Sequence, residues 1–326
     1  MTHETTIAGL IRPPRIPAGG RVGVVAPASP VPDRVRLDRA IATVERDLDL
    51  RVELRVDPLH HHGYYAGTDE ERAAALVDAL ADDGLDAVLC LRGGEGCMRL
   101  LLALPPDSAG RIRASRPKPL IGFSDVTVLH AWLQRHVGWV GFSGPVLTSF
   151  AQAGPSTIDG FRRALMTAEP FTVGAVEDGP PVSTVVPGTV RGRLAGGCLS
   201  LVTSLLGTPW ELDLDGAVLC IEDTHEPPRR VDQMLTQLLA AGALDGVAGI
   251  VLGEMVSCHP GVRGDAYPHS LTVPEVVGEL LVGLGVPILD GLAIGHGRCL
   301  ATLPLGVEVE LDADAGVLRI VEPGVC

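Results

Sequence analysis

Short apolar segments alternate with amphipathic segments along the first half of this chain, and that alternation limits the possible folds more than any other feature. The strand-like runs are residues 23–26, 51–56, 86–91 and 118–123. Helix-like patterns lie between them, and one begins with a capping box formed by Thr68 and Glu71. Strands that alternate with helices in this way form a parallel sheet covered by helices. The pattern therefore predicts an α/β fold for this half.

The chain changes character after residue 150. Residues 151–188 contain a Gly-Pro and a Gly-Pro-Pro sequence, which are typical of turns at a domain edge. Strand-like runs return at 189–194, 217–221 and 248–252, with helical patterns near 231–242 and 274–284. A chain of 326 residues is long enough for two domains. The predicted parts are an N-terminal domain (1–165), a linker (166–188) and a C-terminal domain (189–326).

Charge and cysteine usage restrict the partners and the compartment. The formal charge is −14 and no basic stripe is visible, so we expect no nucleic-acid partner. No stretch approaches the roughly 18 apolar residues of a membrane span, and the N-terminus carries no apolar signal region. The seven cysteines lack Cys-x-x-Cys spacing, which indicates reduced thiols. We expect a cytoplasmic protein that does not bind membranes.

Ser124 lies where a predicted strand ends and a predicted helix begins. In Gly122-Phe123-Ser124-Asp125 the serine would be exposed at the carboxyl edge of a parallel sheet. The amides that follow it, at a helix N-terminus, favour negative charge. A nucleophile and an oxyanion hole need this arrangement. The alternative is that Ser124 only caps the helix, and the Gly-x-Ser-x-Gly elbow is not met because residue 126 is Val.

Three other segments carry candidate chemistry. Arg92-Gly93-Gly94-Glu95-Gly96 follows a strand and suits an oxyanion or carboxylate cradle, with a plain turn as the alternative and no phosphate-loop motif present. Glu222 lies in an acidic strand end at 220–226, which fits acid–base chemistry, a metal site or a solvated loop. His296 lies between two glycines and can turn into a cleft or belong to a surface turn.

Three further motifs are interpreted as structural. His60-His61-His62 are adjacent and cannot all face one metal, and Cys258-His259 has no partners at zinc spacing. Ser143 lies in a second Gly-Phe-Ser sequence, but Pro145 favours a turn there rather than the start of a helix. We therefore expect no metal site and no metal cofactor.

Together these segments resemble the serine LD-carboxypeptidase family, which includes muropeptide LD-carboxypeptidases and microcin-C immunity peptidases. The resemblance runs from about Val22 to Leu318. Its landmarks, in chain order, are Ala26-Pro27-Ala28-Ser29, Ala66-Gly67-Thr68, Arg92-Gly93-Gly94-Glu95-Gly96, Gly122-Phe123-Ser124-Asp125, Ser143-Gly144-Pro145, Leu194-Ala195-Gly196-Gly197, Gly207-Thr208-Pro209, Ile221-Glu222-Asp223, Gly295-His296 and Thr302-Leu303-Pro304-Leu305-Gly306. Each landmark is short, so the resemblance depends on their joint order and spacing.

The resemblance implies a fold and a site. The fold would be α/β, with a Rossmann-like N-terminal domain similar to class I glutamine amidotransferases and a C-terminal swivelling β/β/α domain. The active site would lie in the cleft between them, with Ser124 as nucleophile, His296 as base and Glu222 as the carboxylate. The amides near Gly94 and of Asp125 would form the oxyanion hole. The family also implies a homodimer and no organic cofactor.

The implied substrate is a small peptide or muropeptide in which an L-centre is joined to a terminal D-amino acid, as in murein tetrapeptides. Arg92 and Arg230 are the candidates for binding its free carboxylate. One alternative is an immunity-type amidase that cleaves a toxic peptidyl nucleotide, and another is a binding protein without turnover. The sequence departs from the family at Cys198, where Asn is usual, and at Gln233, where Arg is common. Both departures affect the predicted substrate more than the reaction.

Overall fold

The computed structural model describes residues 9–264, 267 and 269–326, so residues 1–8 of the predicted first domain lie outside the described residues. The strands are β1 (Arg21–Val25), β2 (Arg51–Leu54), β3 (Ala87–Cys90), β4 (Leu120–Gly122), β5 (Gly141–Ser143), β6 (Phe171–Val173), β7 (Ser183–Val186), β8 (Thr189–Cys198), β9 (Ala217–Thr224), β10 (Gly249–Val256), β11 (Ile288–Gly295), β12 (Leu303–Leu305), β13 (Glu308–Asp312) and β14 (Val317–Ile320). The helices are α1 (Arg34–Leu48), α2 (Asp69–Ala81), α3 (Cys97–Leu102), α4 (Ser108–Arg113), α5 (Thr127–Trp132), α6 (Pro155–Leu165), α7 (Leu199–Ser204), α8 (Pro228–Ala240) and α9 (Val273–Leu280). The predicted α/β class is confirmed.

The first sheet has six strands in the order β12-β5-β4-β3-β1-β2. Its strands pair in parallel except β12, which runs antiparallel to β5. Every residue of β3 is buried, because helices cover both faces of the sheet. Before α2, Thr68 Oγ1 accepts a hydrogen bond from the Glu71 amide at 3.2 Å, and the Glu71 carboxylate accepts one from the Thr68 amide at 2.8 Å. The predicted capping box is confirmed.

The second sheet has eight strands in the order β6-β14-β13-β8-β9-β10-β11-β7. Its central strands β8, β9, β10 and β11 are parallel, and antiparallel strands flank them on both sides. Residues 166–188, predicted as a linker, contain β6 and β7, which form the two edges of this sheet. The strand β12 lies in the second half of the chain but pairs with β5 of the first sheet.

The two sheets share one hydrophobic core. A single cluster of buried residues includes Val24 and Phe142 from the first sheet together with Leu194, Val218 and Leu311 from the second. Next to it, the Thr127 hydroxyl of α5 accepts a hydrogen bond from the Cys198 amide at the end of β8, at 3.1 Å. This packing fixes the carboxyl ends of the parallel strands of both sheets relative to each other. Among the described residues, none of the helices combines the length and apolar character that crossing a membrane would require.

Candidate active site

Ser124 occupies a sharp turn directly after β4. Phe123 is extended, and Ser124 then takes a left-handed conformation with φ of 65° before a short 3-10 turn leads into α5. A non-glycine residue held in this region costs about 1–3 kcal/mol, so the surrounding structure must impose it. The turn puts the Ser124 side chain into a cleft at the carboxyl edge of the first sheet. The strand–turn–helix placement predicted from the sequence is confirmed.

His296 connects Ser124 to Glu222 across the two sheets. Its Nε2 lies 3.0 Å from Ser124 Oγ, and its Nδ1 lies 2.7 Å from Glu222 Oε2. An ionised carboxylate can only accept, so Nδ1–H donates to Glu222 and Nε2 is left to accept from the Ser124 hydroxyl. The Phe123 ring packs against the imidazole in a T-shaped arrangement, with centroids 4.9 Å apart. The arrangement lets Ser124 lose its proton to His296.

Two glycines on neighbouring strands leave room for the buried side chain of Glu222. It lies on β9 and is 2% exposed. Gly295 has φ of 98°, and a Cβ atom there would lie 2.2 Å from Glu222 Oε2. At Gly253 on the neighbouring strand, a Cβ atom would come within 3.0 Å of the Glu222 Cβ. A larger residue at Gly295 would displace the carboxylate that contacts His296, and one at Gly253 would collide with the Ile294 carbonyl and press on the base of the Glu222 side chain.

The loop after β3 brings backbone close to Ser124. A Cβ atom at Gly93 would lie 2.8 Å from the Ser124 Cβ and 2.9 Å from its Oγ. Gly94 has φ of 120°, and a Cβ atom there would lie 2.3 Å from the Ser29 hydroxyl. Both positions therefore need glycine, and peptide groups rather than side chains face the serine.

Asp125 contributes to the turn with its buried side chain. Its carboxylate accepts a hydrogen bond from the Cys97 amide at the start of α3, at 2.8 Å. Burial raises the pKa of Asp125, while the hydrogen bond from the Cys97 amide opposes that shift. The side chain thus points to the neighbouring helix and links the Gly93–Gly94 loop to the Ser124 turn. The oxyanion role predicted for the Asp125 backbone amide does not involve this side chain.

A cleft of about 780 Å³ opens at Ser124 and His296. Its charged lining residues are Arg36, Arg92, Arg298 and Glu254. Three arginines against one glutamate make the cleft locally cationic in a chain whose formal charge is −14. An anionic ligand is therefore attracted to this part of the surface.

The two predicted carboxylate-binding arginines lie in different places. Arg92 lines the cleft, where its guanidinium donates to the Pro30 carbonyl at 3.1 Å. Burial lowers the pKa of Arg92, and the charge of Arg36 adds to the effect. Arg230, by contrast, is not among the described residues that line the cleft. It donates to the Gln233 side chain at 2.7 Å and lies 3.7 Å from Glu226.

The sequence interpretation did not identify the other charged residues of the cleft. Arg298 is two residues after His296, so it could have been found from the same motif that identified the histidine. Arg36 lies on α1, far from any motif, and only the packing of α1 against residues 147–152 brings it to the site. Glu254 lies in a strand whose apolar pattern ended, in the sequence, at Leu252.

Among the described residues, the motifs interpreted as structural do not line the cleft, although Ser143 pairs with Gly122 on the strand that precedes Ser124. Ser143 pairs with Leu303 in the first sheet. His60 lies in an exposed loop, 3.2 Å from Glu71. At the departure from the family pattern, Cys198 is buried at the end of β8, and its sulfur lies 3.3 Å from the Ser200 hydroxyl. Within the residues described, no cluster of three or more His, Cys, Asp or Glu side chains could hold a metal ion.

Comparison with known proteins identifies the class. Residues 22–144 match the model of the LD-carboxypeptidase N-terminal domain, and residues 191–311 match that of the LD-carboxypeptidase C-terminal domain. A Bacillus subtilis relative named "Probable murein peptide carboxypeptidase" is 37% identical over 317 residues, which cover 96% of this chain and 95% of the relative. The class is therefore that of the serine carboxypeptidases, and the enzyme prediction is confirmed.

Solved structures agree with this assignment. Muramoyltetrapeptide carboxypeptidase from Oxalobacter formigenes superposes with a TM-score of 0.78 and 31% identity, covering 93% of this chain and 99% of that one. The microcin C7 self-immunity protein MccF, bound to glutamyl sulfamoyl guanosine, superposes with a TM-score of 0.85 and 24% identity. The superposition covers 97% of this chain and 99% of that one and shows that the two proteins share the fold. The chain belongs to the LD-carboxypeptidase family.

Proposed function

We propose that this enzyme is an LD-carboxypeptidase that hydrolyses the amide between an L-centre and a C-terminal D-amino acid, with Ser124, His296 and Glu222 as its catalytic triad. The observation that carries the proposal is the continuous chain of contacts, 3.0 Å from Ser124 to His296 and 2.7 Å from His296 to Glu222. The names of the carboxypeptidase relatives, which refer to murein peptides, support the same substrate class.

The reaction proceeds in two steps. In the first, Ser124 Oγ attacks the carbonyl carbon of the L-residue while His296 Nε2 takes the hydroxyl proton. The amides of Gly94 and Asp125 stabilise the oxyanion, and His296 then gives the proton to the leaving amine of the D-residue. In the second step, a water molecule loses a proton to His296 and attacks the acyl-enzyme. Ser124 regains its proton and the shortened peptide leaves.

Glu222 keeps the imidazole in the required tautomer throughout. Its carboxylate accepts from Nδ1–H, so Nε2 is always the atom that faces Ser124. When His296 becomes an imidazolium, the buried negative charge of Glu222 stabilises it. Because Glu222 is 2% exposed, water does not weaken this interaction strongly.

The free carboxylate of the substrate binds to the cationic side of the cleft. Arg92 is half-buried there beside Arg36, and Arg298 follows the catalytic histidine. A guanidinium can bind a carboxylate through two parallel hydrogen bonds. An amide or an internal peptide bond lacks that charge, so these arginines distinguish a chain end from its interior.

The proposal also covers the folds of the two domains and the cellular role of the enzyme. We take the first sheet with its helices to be the Rossmann-like unit, similar to class I glutamine amidotransferases, and the second sheet to be the core of a swivelling β/β/α domain. The predicted domain boundaries, the homodimer, the cytoplasmic location and the lack of a nucleic-acid partner stay predictions. Peptidoglycan recycling would be the process that supplies a murein tetrapeptide.

A product analysis tests the proposed function. The enzyme is incubated separately with a murein tetrapeptide ending in D-Ala, its C-terminal amide, the L-Ala diastereomer and a peptidyl sulfamoyl nucleotide, and the products are identified by mass spectrometry. We expect release of D-Ala from the free acid and much slower cleavage of the other three. Equal rates for the acid and its amide would refute the carboxypeptidase reaction. Preferred cleavage of the nucleotide would support the immunity-type amidase instead.

A further inference from the structure

Arg72 is a buried cation on α2 that has no part in the proposed reaction steps. Its side chain is 1% exposed, and arginine is buried to this extent only when it is paired. Its Nη2 atom donates to the Asp69 carboxylate, and its Nη1 atom donates to the carbonyls of Pro27 and Gly96. The side chain therefore joins the start of α2 to two loops, one after β1 and one after β3.

The ion pair with Asp69 is not enough to explain Arg72. Burial alone would raise the pKa of Asp69, but hydrogen bonds from Arg99 and Arg72 lower it overall. Replacing a buried ion pair by apolar residues of similar volume is often neutral for stability. The Arg72 Nε atom is also buried without a hydrogen-bond partner among the described residues. What Arg72 holds in place is therefore more informative than the pair itself.

The Gly96–Cys97 peptide group is held between two buried charges. Its carbonyl oxygen accepts a hydrogen bond from Arg72 at 2.9 Å, and its N–H donates to the Asp125 carboxylate at 2.8 Å. Arg72 is 2% exposed and Asp125 is 4% exposed. Hydrogen bonds to charged groups are stronger than neutral ones, and a low dielectric strengthens them further. This peptide group cannot turn without breaking both bonds.

Glycine is needed at residue 96 for this contact. Gly96 has φ of 119°, and a Cβ atom there would lie 2.7 Å from Arg72 Nη1. A side chain at this position would therefore push the guanidinium away from the peptide group. The backbone conformation of the loop and the position of Arg72 depend on each other.

The held peptide group lies between the two parts of the proposed oxyanion hole. Gly94 comes two residues before Gly96, and Asp125 directly follows Ser124. An oxyanion-hole donor must lie about 2.7–3.1 Å from the oxyanion, and a misplacement of about 1 Å can cost about 10²-fold in rate. Arg72 is not among the described residues that line the cleft. Its influence on the reaction would therefore act through the loop after β3.

We infer that Arg72 is a positioning residue for the oxyanion hole, because it holds the Gly96–Cys97 peptide group against Asp125 and so keeps the Gly94 amide directed at the developing oxyanion. The inference rests on the proposed function, since it assumes that Gly94 stabilises the oxyanion formed when Ser124 attacks. Loss of Arg72 should weaken binding of the transition state and leave substrate binding intact.

The test separates these two kinds of binding. Both inhibitors are a murein tetrapeptide without its terminal D-residue, and one ends in an aldehyde at the L-residue while the other ends in the corresponding alcohol. Ser124 can add to the aldehyde and form an oxyanion, whereas the alcohol cannot be attacked. The ratio of the two inhibition constants measures stabilisation of the tetrahedral adduct. The values of kcat and KM are measured with the intact tetrapeptide.

In Arg72→Gln we expect kcat and the preference for the aldehyde to fall together by about 10- to 100-fold, which is part of the cost of losing an oxyanion donor. KM and the inhibition constant of the alcohol should stay within about twofold of the wild type. Arg72→Lys keeps the charge with fewer donors in a different geometry and should lose less. Thermal unfolding checks that each variant is folded.

Arg99→Gln is the matched control. Arg99 binds the same Asp69 carboxylate from the exposed side, where its own side chain is 58% exposed. The substitution disturbs the ion pair of Asp69 while leaving the contact between Arg72 and Gly96 in place. It should retain the wild-type kcat and the wild-type preference for the aldehyde.

The other outcomes overturn the inference. Folded Arg72→Gln with an unchanged aldehyde preference, or with an equal loss of affinity for both inhibitors, would leave Arg72 a structural role only. If Arg72→Gln does not fold, a wild-type aldehyde preference in folded Arg72→Lys overturns the inference instead. A wild type that cleaves the tetrapeptide but does not prefer the aldehyde would have the same meaning. If the wild type cleaves no tetrapeptide, the proposed function itself fails.

Discussion

Three side chains at the site have room only because a glycine lies against each of them. Gly93 admits Ser124, Gly295 admits the Glu222 carboxylate, and Gly297 admits Glu254. A methyl group at any of these positions would come within 3.0 Å of the group that it faces. In the sequence all three glycines lie beside candidate residues, but the reason for each is a contact between segments far apart in the chain.

The carboxylate-binding role of Arg92 leads to a prediction about the substrate terminus. Arg92→Gln should reduce the preference for a peptide acid over its amide, because one charge-assisted interaction of about 1.5–3 kcal/mol is lost. The measurement is kcat/KM for the acid and amide forms of one tetrapeptide. Arg230→Gln is the matched control, since Arg230 pairs with Gln233 outside the cleft, and it should keep the wild-type preference. The opposite result for the two variants would return the role to Arg230.

At the scale of elements, α5 fixes the end of β4 next to Ser124. His130 lies on α5 and is fully buried, and its Nε2 donates a hydrogen bond to the Gly122 carbonyl at 2.8 Å. Burial lowers the pKa of His130 to about 4, although the hydrogen bond opposes the shift. The ring is therefore neutral in the folded protein at pH values where a histidine in the unfolded chain is already charged.

This difference predicts a pH-dependent contribution to stability. Between pH 6.5 and about 4 the unfolded chain gains a proton on His130 that the folded protein does not, so the free energy of unfolding falls as the pH falls. A shift of this size amounts to about 3 kcal/mol over the full window. In His130→Gln, whose amide can still donate to Gly122, that part of the pH dependence should disappear.

Urea unfolding at pH 4.5, 5.5 and 7 measures the effect. His61→Gln, at an exposed position, serves as the control and should follow the wild-type curve. If His130→Gln loses stability with falling pH as steeply as the wild type, His130 is not the neutral buried group described here.

Local patterns predicted most elements but not their partners. The strands β1, β3, β9 and β10 were recognised because both of their faces are buried, which gives apolar runs. The short strand β12 (Leu303–Leu305) comes from the second half of the chain but pairs with β5 of the first sheet. Which sheet an edge strand joins is decided by packing between distant segments, and the local sequence does not encode it.

The whole molecule combines an acidic surface with a cationic cleft. The resemblance to the family predicted a cleft between two parts of the chain, with Arg92 and Arg230 as the candidate cations. It could not predict that the cation set would include Arg36, because this residue reaches the site only through the tertiary packing of α1. It also could not predict the position of Glu254, because a bulge changes the alternation of side chains along β10.

The serine mechanism predicts that activity does not depend on a metal ion. Incubation with EDTA should leave kcat/KM for the tetrapeptide unchanged, because the described residues bring no set of three metal-binding side chains together. Activity before and after chelation is compared, with added Zn²⁺ as the control. Loss of activity in EDTA that Zn²⁺ restores would end the serine mechanism proposed here.

The most direct test of the account is the activity of Ser124→Ala beside that of Ser143→Ala. Both serines follow a Gly-Phe pair, but Ser124 contacts His296 at 3.0 Å whereas Ser143 lies in the β5 ladder. With a murein tetrapeptide as substrate, kcat/KM of Ser124→Ala should fall by about 10⁴-fold or more. Ser143→Ala should keep most of the wild-type rate. Both variants should unfold near the wild-type temperature. If the Ser124→Ala variant is folded and retains more than about a hundredth of wild-type activity, the assignment of Ser124 as the nucleophile is contradicted.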